Sequence, residues 1–159
     1  MFFMKLLILF IVAFTVLGCS SDSSSPIGFI EDTQEHVKAF SEAQADLFDV
    51  FGDPNNMRYD LLREQQREVI RVADEIKTEL NEVDVPKQCI NLRDTVIQQI
   101  DEVVQLSEDI VYAAETGEVT EFLESNLYNK DRELDVGKFT QISEDKAEDY
   151  FNAIAECES

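Results

Sequence analysis

The sequence has no tryptophan, one histidine, five glycines and three prolines, and only 13 basic residues stand against 34 acidic ones. Each shortage excludes something. So few glycines and prolines argue against an all-β fold, which needs many tight turns. A single histidine, His36, excludes a His-rich metal site and disfavours a Ser-His-Asp triad. A di-iron bundle needs Glu three residues before His on two helices, and here Thr33 stands three residues before His36. There is no C-x-x-C-H haem attachment, no glycine-rich phosphate loop and no G-x-S-x-G. The three cysteines, Cys19, Cys89 and Cys157, stand too far apart in sequence to be paired zinc ligands. No catalytic residue, metal site or cofactor is therefore expected. The net charge of −21 repels phosphate backbones, so no nucleic-acid partner is expected either.

What is present is enough for one domain. The chain has 159 residues, 44% of them hydrophobic, which suits a packed core and argues against disorder of the whole chain. The beginning is unlike the rest. One positive charge, Lys5, precedes an uncharged run from Leu6 to Leu17. That run has twelve residues, short of the roughly 20 that span a bilayer and typical of a signal-peptide core. It ends in Val16-Leu17-Gly18-Cys19, which resembles a bacterial lipobox. In lipoproteins with this motif the cysteine becomes the first mature residue and its thiol carries a diacylglyceryl group. The resemblance implies a signal peptide over residues 1–18 and lipidation at Cys19. The alternatives are an ordinary secretory signal or an N-terminal anchor helix.

Ser20-Ser21-Asp22-Ser23-Ser24-Ser25-Pro26 reads as a flexible tether, so residues 19–26 are taken as lipidated cysteine plus linker and residues 27–159 as the domain. A serine after the lipidated cysteine resembles the sorting pattern for the outer membrane. The expected location is the cell envelope, outside the cytoplasm. In a Gram-negative cell it is the outer membrane; in a Gram-positive cell it is the outer face of the cell membrane. Loss of Lys5 with the leader takes the net charge one unit below −21. Such acidity keeps the domain off anionic headgroups, so the membrane partner is reached through acyl chains, of which two give stable anchoring.

Beyond the tether the apolar residues repeat at helical spacing. Ile30, Val37, Phe40, Leu47 and Phe51 mark one face over residues 27–51, widened by Ala43 and Phe48. Gly52-Asp53-Pro54-Asn55-Asn56 is a stop and turn. Leu61, Leu62, Val69, Val72, Ala73, Ile76, Leu80 and Val83 mark a second helix over residues 56–83. Pro86 ends it, because the residue before proline is pushed out of the helical region. Ile90, Val96, Ile97, Ile100, Val103, Val104, Ile110, Val111 and Ala114 mark a third over residues 87–116, stopped by Gly117. Residues 119–127 suit a short helix and 128–134 a loop. Residues 135–156 then carry Phe139, Ile142, Ala147, Tyr150, Phe151 and Ile154 on one face. The expected fold is all-α, an antiparallel up-down bundle of four helices, with an extended coiled coil as the alternative.

In such a bundle Cys89, at the start of the third helix, and Cys157, at the end of the fourth, fall at the same end. That placement allows a disulfide, and export from the cytosol permits one. The alternative is two buried free thiols. Asp131, Glu133 and Asp135 alternate as calcium-loop ligands can. Gly137 is one place late for an EF-hand, Ile142 stands where its glutamate belongs, and Lys130 and Arg132 oppose a cation, so a solvated loop is expected. Arg63, Arg67 and Arg71 form the one basic stripe of the second helix. It suits a phosphate, a carboxylate or an acidic partner. Equally, Asp60, Glu64 and Glu68 each precede one of these arginines by three residues, and Glu75 follows Arg71 by four, so pairing within the helix is the competing expectation.

The lipobox, the serine-rich tether and a helical domain together resemble the small helical-bundle lipoproteins of bacteria. The order of features fits one group among them: Pro86 before a long helix, then the Gly117-Glu118 turn and Leu123-Glu124-Ser125. The resemblance implies an envelope location and a helical architecture without catalytic residues. Three functions follow as expectations. The first is a membrane-anchored, non-enzymatic binding or adaptor module, with a cationic protein or peptide as the partner its charge favours. The second is a passive structural or accessory lipoprotein. The third is a hydrolase using paired carboxylates, for which no particular pair stands out.

Overall fold

The structure, a computed structural model, describes residues 25–51, 58–126 and 136–159. Among them are helices α1 (Pro26–Phe51), α2 (Tyr59–Glu82), α3 (Ile90–Thr116), α4 (Val119–Asn126) and α5 (Val136–Glu158), and no strand. The expected signal peptide, Cys19, the first part of the expected tether, the turn expected at residues 52–56 and the loop weighed for calcium up to Asp135 lie outside the described residues. Gly137 falls within the first turn of α5.

Local chemistry sets the helix ends. Ser25 caps α1: its Oγ accepts a hydrogen bond from the Gly28 backbone N–H at 3.1 Å. Pro26 follows in the first helical position, where its missing N–H costs nothing. After α2 the backbone turns extended at Val83, and Pro86 leads into a single 3₁₀ turn (Lys87–Cys89) before α3 begins. Gly117 ends α3 with φ of 81°, the left-handed conformation that favours glycine, and its N–H and that of Glu118 both return to the Ala113 carbonyl.

The four long helices form a ring. α2 packs most extensively on α3, α1 packs on α2, α3 on α5, and α5 closes back on α1. Cross-helix pairs give the directions. Lys77 meets Asp101 and Arg67 meets Glu115, so α2 and α3 run antiparallel. Asn91 meets Glu156 and Gln99 meets Lys146, so α3 and α5 do too. The fold is the all-α up-down bundle the periodicity predicts, with α4 as a short fifth helix lying against α3.

The core runs along a strict register. On α2 the buried positions are Leu62, Gln66, Val69, Ala73, Ile76 and Leu80, alternating four and three residues apart. Phe29, Phe40, Leu92, Val96, Ile100, Tyr150 and Ala153 fill the space opposite. Three residues assigned to apolar faces by sequence, Leu61, Ile90 and Phe151, are exposed instead. Each sits next to a residue that holds the register: Leu62, Cys89 and Tyr150. Three polar residues are buried in their turn: Thr33, Gln66 and Ser107. Thr33 satisfies its hydroxyl by donating to the Phe29 carbonyl at 2.7 Å. Among the described residues, Gln66 Nε2 and the Tyr150 hydroxyl have no hydrogen-bond partner. Burial pushes the Tyr150 hydroxyl up to about 12.

Candidate functional site

Cys89 and Cys157 are buried, with sulfurs 1.91 Å apart and Cα atoms 4.3 Å apart, a disulfide distance. The pair joins the start of α3 to the end of α5. Pro26 belongs to the same end, its carbonyl oxygen 3.9 Å from the Cys157 sulfur. The first helix of the bundle therefore begins beside the cysteine pair.

The arginine row does not act as a unit. Arg71 is held from both sides, by Glu68 and Glu75, and those carboxylates raise its pKa. Arg67 reaches across to Glu115 of α3 at 2.7 Å, a partner on another helix that spacing along α2 does not reveal. Asp60, three before Arg63, pairs with Arg58 instead, and the Arg58 guanidinium pulls it down to about 2. Arg63 makes no ion pair among the described residues. His36 is half-buried, with Nδ1 3.6 Å from a Glu79 carboxylate oxygen.

Two shallow depressions lie on the surface of α3, and they differ in charge state. The first is lined by Asp94, Ile97, Gln98, Asp101, Glu102 and Gln105. Its three acids are all neutralised: Asp94 by Arg93, Asp101 by Lys77 at 2.6 Å, and Glu102 by Lys146. The Lys146 hydrogen bond pulls the Glu102 carboxyl down, and Asp101 raises the Lys77 ammonium. The second lies where α4 folds against the end of α3. Its apolar lining is Tyr112, Ala113 and Phe122, and its rim is Asp109, Glu118 and Glu121. No basic side chain pairs with these three acids among the described residues. Gln105 donates to Asp109 at 3.1 Å, and the Thr116 hydroxyl lies 3.3 Å from a Glu118 oxygen. Tyr112 is 66% exposed, an aromatic face set among carboxylates.

This second site is one that sequence reasoning missed. The sequence signals the break, since Gly117 turns the chain back and the eight residues of α4 are too few to be a member of the bundle, but it does not signal the depression itself. Carboxylates beside an exposed tyrosine ring can hold a lysine or arginine side chain by charge and by cation–π contact.

Among the described residues, no group of three or more His, Cys, Asp or Glu side chains is arranged to hold a metal ion, and no helix is long and apolar enough to cross a membrane. The Asp32 carboxyl is pushed up by partial burial first and by Glu35 next, with His36 working against the rise. It lines neither depression. The chain matches no known family model, no curated protein and no solved structure.

Proposed function

We propose that the protein is a lipid-anchored, extracytoplasmic binding module that captures a cationic protein or peptide. The observation that carries the reading is the depression between α3 and α4, where Asp109, Glu118 and Glu121 stand around Tyr112 with no basic side chain paired to them among the described residues. Over the rest of the described surface many acids are already paired. The lipobox Val16-Leu17-Gly18-Cys19 supplies the anchor at Cys19 and the exported location. In that oxidising compartment Cys89 and Cys157 form a disulfide. The Arg63, Arg67 and Arg71 row serves the fold more than a ligand, since two of the three are engaged internally. A passive spacer role needs no unpaired site. A carboxylate hydrolase calls for a carboxyl with a raised pKa in a cleft, and Asp32 lines neither depression.

The test is crosslinking in intact cells, capture of the tagged protein, and identification of what comes with it. One recurrent basic partner, released as salt rises and lost in the unanchored Cys19→Ala variant, is expected. Absence of any recurrent basic partner contradicts the binding reading.

A further inference from the structure

The route of the chain into the bundle points to a second interaction surface, and this inference rests on the anchoring at Cys19 proposed above. We propose that the end of the bundle holding Cys89 and Cys157 is a lipid-contact surface. There Ile27 and Ile90 touch a zwitterionic bilayer, and the bundle stands with the α3–α4 depression turned away from it.

Three observations meet at this end. Ile27 directly follows Pro26, whose carbonyl lies against Cys157, and Ile90 directly follows Cys89, so both isoleucines flank the cysteine pair. Both are exposed, Ile27 at 69% and Ile90 at 42%, although they are aliphatic and sit beside fully buried cysteines. The residues outside the described structure connect here. The seven steps from Cys19 to Pro26 reach about 25 Å when fully extended and about 15 Å as a flexible chain. α1, with 26 residues, is about 39 Å long. The tether is thus shorter than the bundle and holds the isoleucine end near the lipid. Contact becomes an intramolecular event, for which a small apolar surface suffices.

Charge selects the kind of lipid. Asp84, Glu156 and Glu158 are exposed around this end, against one exposed Lys87. They repel anionic headgroups and tolerate neutral ones. The alternative posture, lying flat, would press exposed acids of the helix sides, such as Glu35 and Glu42 of α1, onto the lipid.

The chain lacks tryptophan, so single tryptophans report position without background. Full-length protein purified from membranes is reconstituted in phosphatidylcholine vesicles with or without brominated acyl chains, which quench nearby tryptophan. The reporters are Gln88→Trp beside the cysteine pair, Phe151→Trp on the side of α5 and Tyr112→Trp at the far depression. The expected result is loss of emission for Gln88→Trp, less for Phe151→Trp and none for Tyr112→Trp. Ile27→Ser/Ile90→Ser should abolish the quenching of Gln88→Trp, and anionic lipid should weaken it. Equal quenching at Phe151→Trp overturns the upright posture, and no quenching at Gln88→Trp overturns the contact. The anchoring reading fails separately, by an intact mass without acyl groups. In that case the chain is coupled through the Cys19 thiol to a maleimide-bearing lipid and the same quenching decides the contact.

Discussion

The two ends of the bundle are built differently. At one end α3 and α5 meet through Cys89 and Cys157, both buried, with Pro26 of α1 against the pair. At the other, α4 folds over the end of α3 and holds α2 through one exposed hydrogen bond, Tyr59 to Thr120 at 3.0 Å. The first end is held by apolar packing around a cysteine pair at disulfide distance. The second carries acids that have no basic partner among the described residues, around an exposed tyrosine. If the chain is anchored as proposed, it gains from rigidity where the anchor pulls and from unsatisfied charge where a partner is to be met. On the proposed function, cohesion belongs to one end and recognition to the other.

The largest effect should come from the cohesive end. Cys89→Ala/Cys157→Ala reopens a loop spanning 68 residues in sequence. Stability should fall by about 4 kcal/mol in urea denaturation. Hydrogen exchange should quicken first in residues 150–158 and least where α3 meets α4. Equal acceleration at both ends would break the comparison.

A smaller effect of opposite sign should appear in the half of α2 nearer the recognition end. Gln66 is 1% exposed and its Nε2 has no partner among the described residues. Gln66→Leu should stabilise by about 1 kcal/mol, since it removes an unsatisfied buried group and keeps the volume. A lower urea midpoint for this variant would mean that the amide contributes to the fold.

The smallest effect should be pH-dependent and lie on α1. The folded state raises the Asp32 pKa, so the native chain binds a proton there more readily than the unfolded chain. Its contribution is favourable in acid and is lost as pH rises through the raised value. At neutral pH the Asp32 charge therefore opposes folding. Asp32→Asn should raise the melting temperature at pH 7, and the gain should vanish well below the ordinary carboxylate range. A gain that persists unchanged in acid would put the effect elsewhere.

Much of the fold was legible because helix ends and faces are local properties. Gly117 stops α3 by its left-handed backbone, and α2 ends at Glu82, before the Asp84-Val85-Pro86 break, so both stops fall where the sequence puts them. The meeting of Cys89 and Cys157 follows from chain direction once four helices alternate. The misses share one cause. Residue type alone puts Leu61, Ile90 and Phe151 inside, whereas the register leaves them exposed. Gln66, Thr33 and Ser107 were passed over although they occupy core positions. Counting four and three from Leu62 leads through Gln66 to Val69 and Ala73. The depression beside α4 was not legible, because it depends on how a short helix folds back on α3 and on which acids find a base on another helix. The Arg67–Glu115 and Lys77–Asp101 pairs are of that kind.

The central claim is that unpaired acids recognise a partner where paired acids do not. It is tested by repeating the in-cell capture with two variants that remove three charges each. Asp109→Asn/Glu118→Gln/Glu121→Gln strips the α3–α4 depression, and Asp94→Asn/Asp101→Asn/Glu102→Gln strips the neutralised one. The account predicts that the first variant loses the salt-sensitive basic partner and the second keeps it. Equal capture by both would contradict it.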